Sequence, residues 1–152
     1  MNALRVVSAV SVGLLAGALF LEGFVLVPYW RSLRPEAFVD LHGGFAPRLY
    51  RFFAPLTATA TSTALIAGIA VVWRDQRALA DWSTVASAVL AVSLLAFYRM
   101  YFHAANQRLP VLAATNSNAA LSEELHRWHR IHQARTGVSV AAFVLAVLGV
   151  AS

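Results

Sequence analysis

Four long apolar runs make up most of the chain, separated by stretches in which arginine and histidine concentrate. Crossing roughly 30 Å of hydrocarbon at 1.5 Å per helical residue takes about 20 residues. The runs at about 5–28, 52–73, 83–104 and 134–151 reach or approach that length. Their apolarity is continuous rather than alternating, which argues against half-buried strands. The predicted fold class is all-α, an integral membrane four-helix bundle. The first run opens like a secretory signal peptide, with Arg5, an apolar stretch and Ala16-Gly17-Ala18. Its apolarity continues to Val27 without a polar cleavage region and three more runs follow, so it is read as a retained span.

The connections are less uniform. Pro35 at a helix start, apolar positions through Phe38 and Leu41, and Gly43-Gly44 as a stop predict a short interfacial helix in loop 1. Arg74 to about Trp82 reads as a tight hairpin. Asn116-Ser117-Asn118 reads as a turn. Ser122 then opens a helical run that continues into the fourth span, extending that helix beyond the membrane. Within the spans, Gly13 and Gly17 form a small-xxx-small contact, and Thr57, Thr59, Thr61, Ser62 and Thr63 can bond to helix carbonyls.

Composition agrees with this pattern. Of 152 residues, 59% are hydrophobic and 12% charged, against about 25% charged in a soluble domain. The length suits one domain, residues 1–152. All twelve basic residues are arginine and the formal charge is +5. They flank apolar runs, so the partner they indicate is the headgroup layer of a lipid bilayer and not nucleic acid. With no cysteine, disulfides and thiolate chemistry are excluded. Arg31, Arg34, Arg48, Arg51, Arg108, Arg127, Arg130 and Arg135 flank loops 1 and 3, against Arg5, Arg74 and Arg77 opposite. That asymmetry predicts an inner membrane of bacterial type, with loops 1 and 3 cytoplasmic and both termini outward.

All five histidines, His42, His103, His126, His129 and His132, fall on the loop 1 and loop 3 side, and Glu22 and Arg99 lie near the same end. Ionisable groups within a span are costly and default to a functional reading, although single interfacial residues often only snorkel to headgroups. At about 100° per residue, Trp128, His132, Arg135 and Glu124 share the apolar, inward stripe of the last helix, whereas His126 lies about 120° from His132. On the third span, Arg99, His103 and Asn106 continue a stripe of Ala88, Val92 and Ala96. On the first, Glu22 shares its face with Leu15, Ala18 and Tyr29. Such a pocket offers an imidazole base, a guanidinium and amide for an oxyanion, and an indole to stack on a flat substrate. Glu22, His103 and His132, with His42 and His129 as further candidates, could instead hold an Fe, Cu, Mn or Zn ion. No nucleotide-cofactor, serine-hydrolase or zincin motif is present.

Asn106-Gln107-Arg108-Leu109 and Trp128-x3-His132-x2-Arg135-Thr136, with the Val27-Pro28 ending of the first span, resemble the anthrone-oxygenase-like family of small four-helix membrane proteins. The resemblance implies oxygenation of an activated methylene in a polycyclic aromatic without nicotinamide or flavin. It also implies catalytic roles for Asn106, Trp128, His132 and Arg135. His42, His103, His126 and His129 lie outside that pattern, which keeps a metal-dependent relative open. The leading expectation is a membrane oxygenase or oxidoreductase acting on a lipophilic aromatic or quinone-like substrate, bound by Trp128, Arg99 and Tyr29 at the cytoplasmic end. The alternative is a non-enzymatic membrane protein that binds or moves a small molecule or metal. A third reading is a bundle whose buried polar groups only fix helix register. Association into a homo-oligomer stays open.

Overall fold

The computed structural model describes residues 2–74, 79–115 and 118–151, and every regular element among them is helical. The first run forms α1 (Asn2–Leu21), a π-helical turn at Glu22–Leu26 and α2 (Val27–Ser32). The chain reverses over Leu33 and Arg34, extended with ψ of 153° and 148°. Arg34 is held extended by the ring of Pro35, and Pro35 opens α3 (Pro35–Trp73), where its missing N–H goes unneeded. The third rod comprises α4 (Leu79–Phe97), a second π-helical turn at Tyr98–Phe102 and α5 (His103–Ala114); the fourth is α6 (Asn118–Ala151). Four helical stretches are long and apolar enough to cross a membrane. By length and composition, the chain is an integral membrane helix bundle.

Loop 1 holds no separate interfacial helix. The Gly43-Gly44 pair, expected to stop a short helix, lies inside the 39 residues of α3, as do Pro47 and Pro55. Glycine costs about 1 kcal/mol in a helix interior and proline about 3. Here tertiary packing overrides both: Phe38, Val39 and His42 are buried against the aromatic end of the bundle. Proline is also better tolerated in membrane helices, where neighbours re-satisfy the freed backbone groups. The last helix does run unbroken from Asn118 through the apolar segment. The expected hairpin after Arg74 and turn at 116–117 fall largely outside the described residues.

The four rods run up-down-up-down in a ring, α1 against α3 and α6, α4 against the same two. Their packing changes character along the bundle. One half is built on small residues: Ala60, Ala64, Ala91 and Ala142 are fully or almost fully buried together with Val12, Leu15 and Leu19. A Cβ on Gly68 would lie 3.0 Å from Ala88 Cβ, which shows how closely α3 and α4 approach. Without a hydrophobic drive between helices in lipid, such close contact and interhelical hydrogen bonds hold the rods together. Hydroxyls donate across helix pairs, among them Ser87 to Ala142 O at 2.8 Å, Thr61 to Ala91 O at 3.4 Å and Thr136 to Leu19 O at 3.3 Å. Each is worth about 0.6 kcal/mol. At that end Arg5 pairs with Asp81 and donates to Gly149 O at 3.1 Å, tying α1, α4 and α6.

The other half is aromatic, built on Trp30, Phe38, Tyr101, Phe102 and Trp128 with Leu109 and Leu121. Bulky rings hold the rods further apart than alanines do. Large apolar side chains such as Val10, Leu14, Phe24, Val72 and Val89 face outward, as lipid contact requires.

Candidate functional site

Where the two halves meet, three ionisable side chains come together. Glu22 opens the first π-helical turn, and only 5% of it is exposed. Arg135, from α6, donates through Nη2 to Glu22 Oε2 at 3.1 Å and to His132 Nδ1 at 3.1 Å, and its guanidinium lies 4.5 Å from the Phe102 ring centroid. A guanidinium only donates, so Nδ1 accepts and the His132 proton sits on Nε2. That Nε2 has no hydrogen-bond partner and lies 4.0 Å from Glu22 Oε2; Arg135 Nε is likewise buried and unpaired. Gly23 permits this: a Cβ there would stand 3.3 Å from Thr136 Oγ1 and 3.5 Å from His132 Nε2.

Trp128 sits one turn before His132 on α6, and its indole stacks on the imidazole, centroids 5.4 Å apart and planes 3° from parallel. Its Nε1 donates to Asn106 Oδ1 at 3.2 Å. Around it, Trp30, Phe38, His42 and Phe102 meet the indole at tilted or edge-on angles, the arrangement that aromatic quadrupoles favour. The indole is therefore fixed in plane and in position.

These groups face a cavity of about 480 Å³ enclosed by all four rods, within the usual range of small-molecule sites. Glu22, Arg135, Trp128, Asn106 and His42 are among its polar walls; Leu15, Leu19, Phe53, Leu94 and Phe102 are among its apolar ones. His103 and Gln107 stand at its outward-facing rim, 3.4 Å apart. At about 30 Å³ per water-sized group, the cavity holds roughly sixteen heavy atoms, the size of three fused rings.

The sequence-derived residues divide accordingly. Asn106, Trp128, Arg135 and Glu22 are brought together. His132 is fully buried, as its stripe required, but it stands behind Arg135 and Glu22 and does not line the cavity. His126 faces outward. Two expected substrate contacts are corrected: Tyr29 is 56% exposed, Arg99 also faces outward, and neither lines the cavity. Glu124, expected on the inward stripe, does turn toward the third rod, where it accepts from Arg108 at 2.7 Å and from Tyr101 at 3.2 Å nearer the start of α6, away from the cavity. Gly17 makes no helix contact, whereas Gly13 meets Phe143.

The expected metal set is not assembled. Among the described residues no three His, Asp or Glu side chains are grouped so as to hold an ion. His132 Nδ1 is taken by Arg135, and His103 stands at the rim. His129 belongs elsewhere: it is buried, 3.4 Å from Arg31, in a smaller cavity of about 280 Å³ on the other side of Trp128. His42, weighed in sequence only as a further metal candidate in loop 1, is an interior residue and part of the cavity wall. The Phe38–His42 spacing of four was the available signal, present even within the short helix expected from Pro35 to Gly43, but that helix was placed at the membrane interface and not against the bundle interior.

Compared with family models, curated proteins and solved structures, the chain matches none.

Proposed function

We propose that this cavity binds the flat ring system of a lipophilic aromatic or quinone-like substrate and that the protein oxygenates it, as a membrane oxygenase with dioxygen as co-substrate. The observation that carries this reading is the placement of the Glu22–Arg135 ion pair and the fixed Trp128 indole on the walls of one largely apolar cavity. The likeness of the Asn106 and Trp128–Arg135 motifs to the anthrone-oxygenase-like family supports it independently. The conversion is R₂CH₂ + O₂ → R₂C=O + H₂O, in which the methylene is oxidised and dioxygen reduced.

The polar pair suits its first step. A proton leaves the activated methylene for the Glu22 carboxylate, and the electron pair stays on the substrate as an enolate. The enolate oxygen then replaces Glu22 as the counterion of Arg135. Net charge in the low-dielectric interior is unchanged by that exchange, so the step avoids the cost of creating an unpaired buried charge. Dioxygen takes electrons from the enolate; one oxygen atom becomes the carbonyl and the other leaves as water. Trp128, held by Asn106, supplies the stacking face. His132 is a positioning residue, acting through its bond to Arg135. We further place loops 1 and 3, and hence the cavity end, on the cytoplasmic side, on the arginine asymmetry.

Oxygen uptake by the purified protein with a panel of anthrones and hydroquinones tests the reading. Turnover that is lost in Arg135→Met and in Glu22→Gln is expected. Uptake no higher than in those variants overturns the reading. Saturable binding without chemical change assigns the cavity to a carrier or binding protein instead.

A further inference from the structure

We infer that the substrate is a two-part molecule, a ring head in the cavity and a hydrocarbon tail lying in a lateral groove that opens on the bilayer. This inference rests on the cavity being the ring site. The groove has a volume of about 750 Å³ and runs along α1 between α3 and the end of α6. Its walls are apolar apart from Glu22; Gly17, Leu21, Phe143 and Val147 form much of it. Glu22, Leu49 and Phe53 line both groove and cavity, so the two hollows meet across these three side chains.

Two features argue that a tail fills the groove. Small residues in a membrane helix ordinarily let another backbone approach. At Gly13 the room is taken by a side chain, since a Cβ would meet the Phe143 ring at 2.7 Å. At Gly17, one turn nearer Glu22, a Cβ would find no heavy atom within 4 Å. The space is open at the end nearest the carboxylate.

The second feature is continuity. A molecule whose ring lies against Trp128 and Arg135 reaches the groove by passing Glu22, Leu49 and Phe53. The side chain that faces the ring is therefore also the polar mark at the inner end of the groove. At about 30 Å³ per water-sized group the groove accepts roughly twenty-five heavy atoms, enough for a long alkyl or prenyl chain. Such a molecule would enter sideways from the membrane, with its tail never leaving an apolar medium.

The test uses the full chain in phosphatidylcholine nanodiscs and two photoreactive quinones, one with a diazirine at the end of a ten-carbon tail and one with the diazirine on a tailless ring. Expected is saturable tail labelling on Gly17, Leu21, Phe143 and Val147, at least about fivefold above outward positions such as Val72 and Val89. Gly17→Leu projects into the groove from a position where a Cβ meets no heavy atom within 4 Å, and it replaces a helix-weakening residue, so the fold stands. In that variant the tail labelling should fall to the level of the outward positions; in Val89→Phe it should persist. Tail labelling spread evenly over outward positions, with saturable ring labelling of the cavity, overturns the tail and leaves the ring site standing. No saturable ring labelling overturns both.

Discussion

Removing either partner of the Glu22–Arg135 pair should destabilise the bundle severely, whereas removing both should not. The side chains are 7% and 15% exposed and meet at 3.1 Å. At an effective dielectric constant of about 20 their attraction is about 5 kcal/mol, largely offset by the cost of taking two charges out of water. Glu22→Leu leaves the guanidinium without a counterion and should cost about 3 kcal/mol; Arg135→Met leaves the carboxylate and removes the His132 contact, costing about 3–5 kcal/mol. The double variant, Glu22→Leu with Arg135→Met, replaces the pair with apolar groups of similar bulk. It should lie within about 1 kcal/mol of the parent. The coupling, read as the sum of the singles less the double, should exceed about 2 kcal/mol. Reversible unfolding in mixed micelles with rising dodecyl sulfate, followed by tryptophan fluorescence, measures all four proteins. A Glu22→Leu cost below about 1 kcal/mol would refute the reasoning, because the pair would then be hydrated through the cavity and not desolvated. The same set separates packing from chemistry: the double variant should fold normally and yet lack turnover.

His132→Ala should lower stability by about 2–4 kcal/mol and activity with it, because it opens a hole beneath Trp128 and frees Arg135; His126→Ala should stay within about 0.5 kcal/mol of the parent on the same titration. Gly23→Val should displace His132 and Thr136, with a cost of about 1–3 kcal/mol and a matching loss of activity, whereas an unaffected protein would mean that the π-helical turn gives way easily. Leu121→Ala, at a site with 0% exposure, should cost about 2–5 kcal/mol without changing the turnover of the protein that remains folded.

The architecture was legible because span length and uncharged apolarity are strong signals in lipid. The facing of each helix was not equally legible. On α6 the inward stripe through Trp128, His132 and Arg135 followed from the wheel, and all three are in the interior or at its edge. On the third rod the wheel was anchored on Arg99, on the assumption that a charge within a span turns inward. Of the expected stripe Ala88 is buried and Asn106 reaches the cavity, but Val92, Ala96, Arg99 and His103 face outward; the buried Ala91, Leu94, Phe102, Ala105 and Leu109 define a face about 100° away. Lipid is as apolar as the core, so hydrophobicity does not distinguish the two sides, and a long arginine reaches polar surroundings from an outward position. On the first rod the π-helical turn caused the error. A π turn holds more residues than an α turn, so the inward position after Glu22 moves from Tyr29 to Trp30, which is 7% exposed. A wheel with one fixed angle cannot show that shift.

The chemistry sits at the junction of the two packings for a mechanical reason. Alanine-to-alanine contact and the interhelical hydroxyl bonds fix one half of the bundle closely, and the Arg5–Asp81 pair ties three rods at its far end. The aromatic half, with rings of Trp30, Phe38, Phe102 and Trp128 between the rods, leaves the cavity open. Glu22, His132 and Arg135 hang on the last closely packed level, where Thr136 bonds to Leu19 O and His132 O. They therefore inherit a rigid floor while facing open space. Two buried donors in this trio, His132 Nε2 and Arg135 Nε, stay unpaired, at about 1–3 kcal/mol each. On the proposed function, a guanidinium held in place by one neighbour, with a carboxylate that a proton can neutralise and an open volume beside both, is preorganised for charge that develops on a bound molecule.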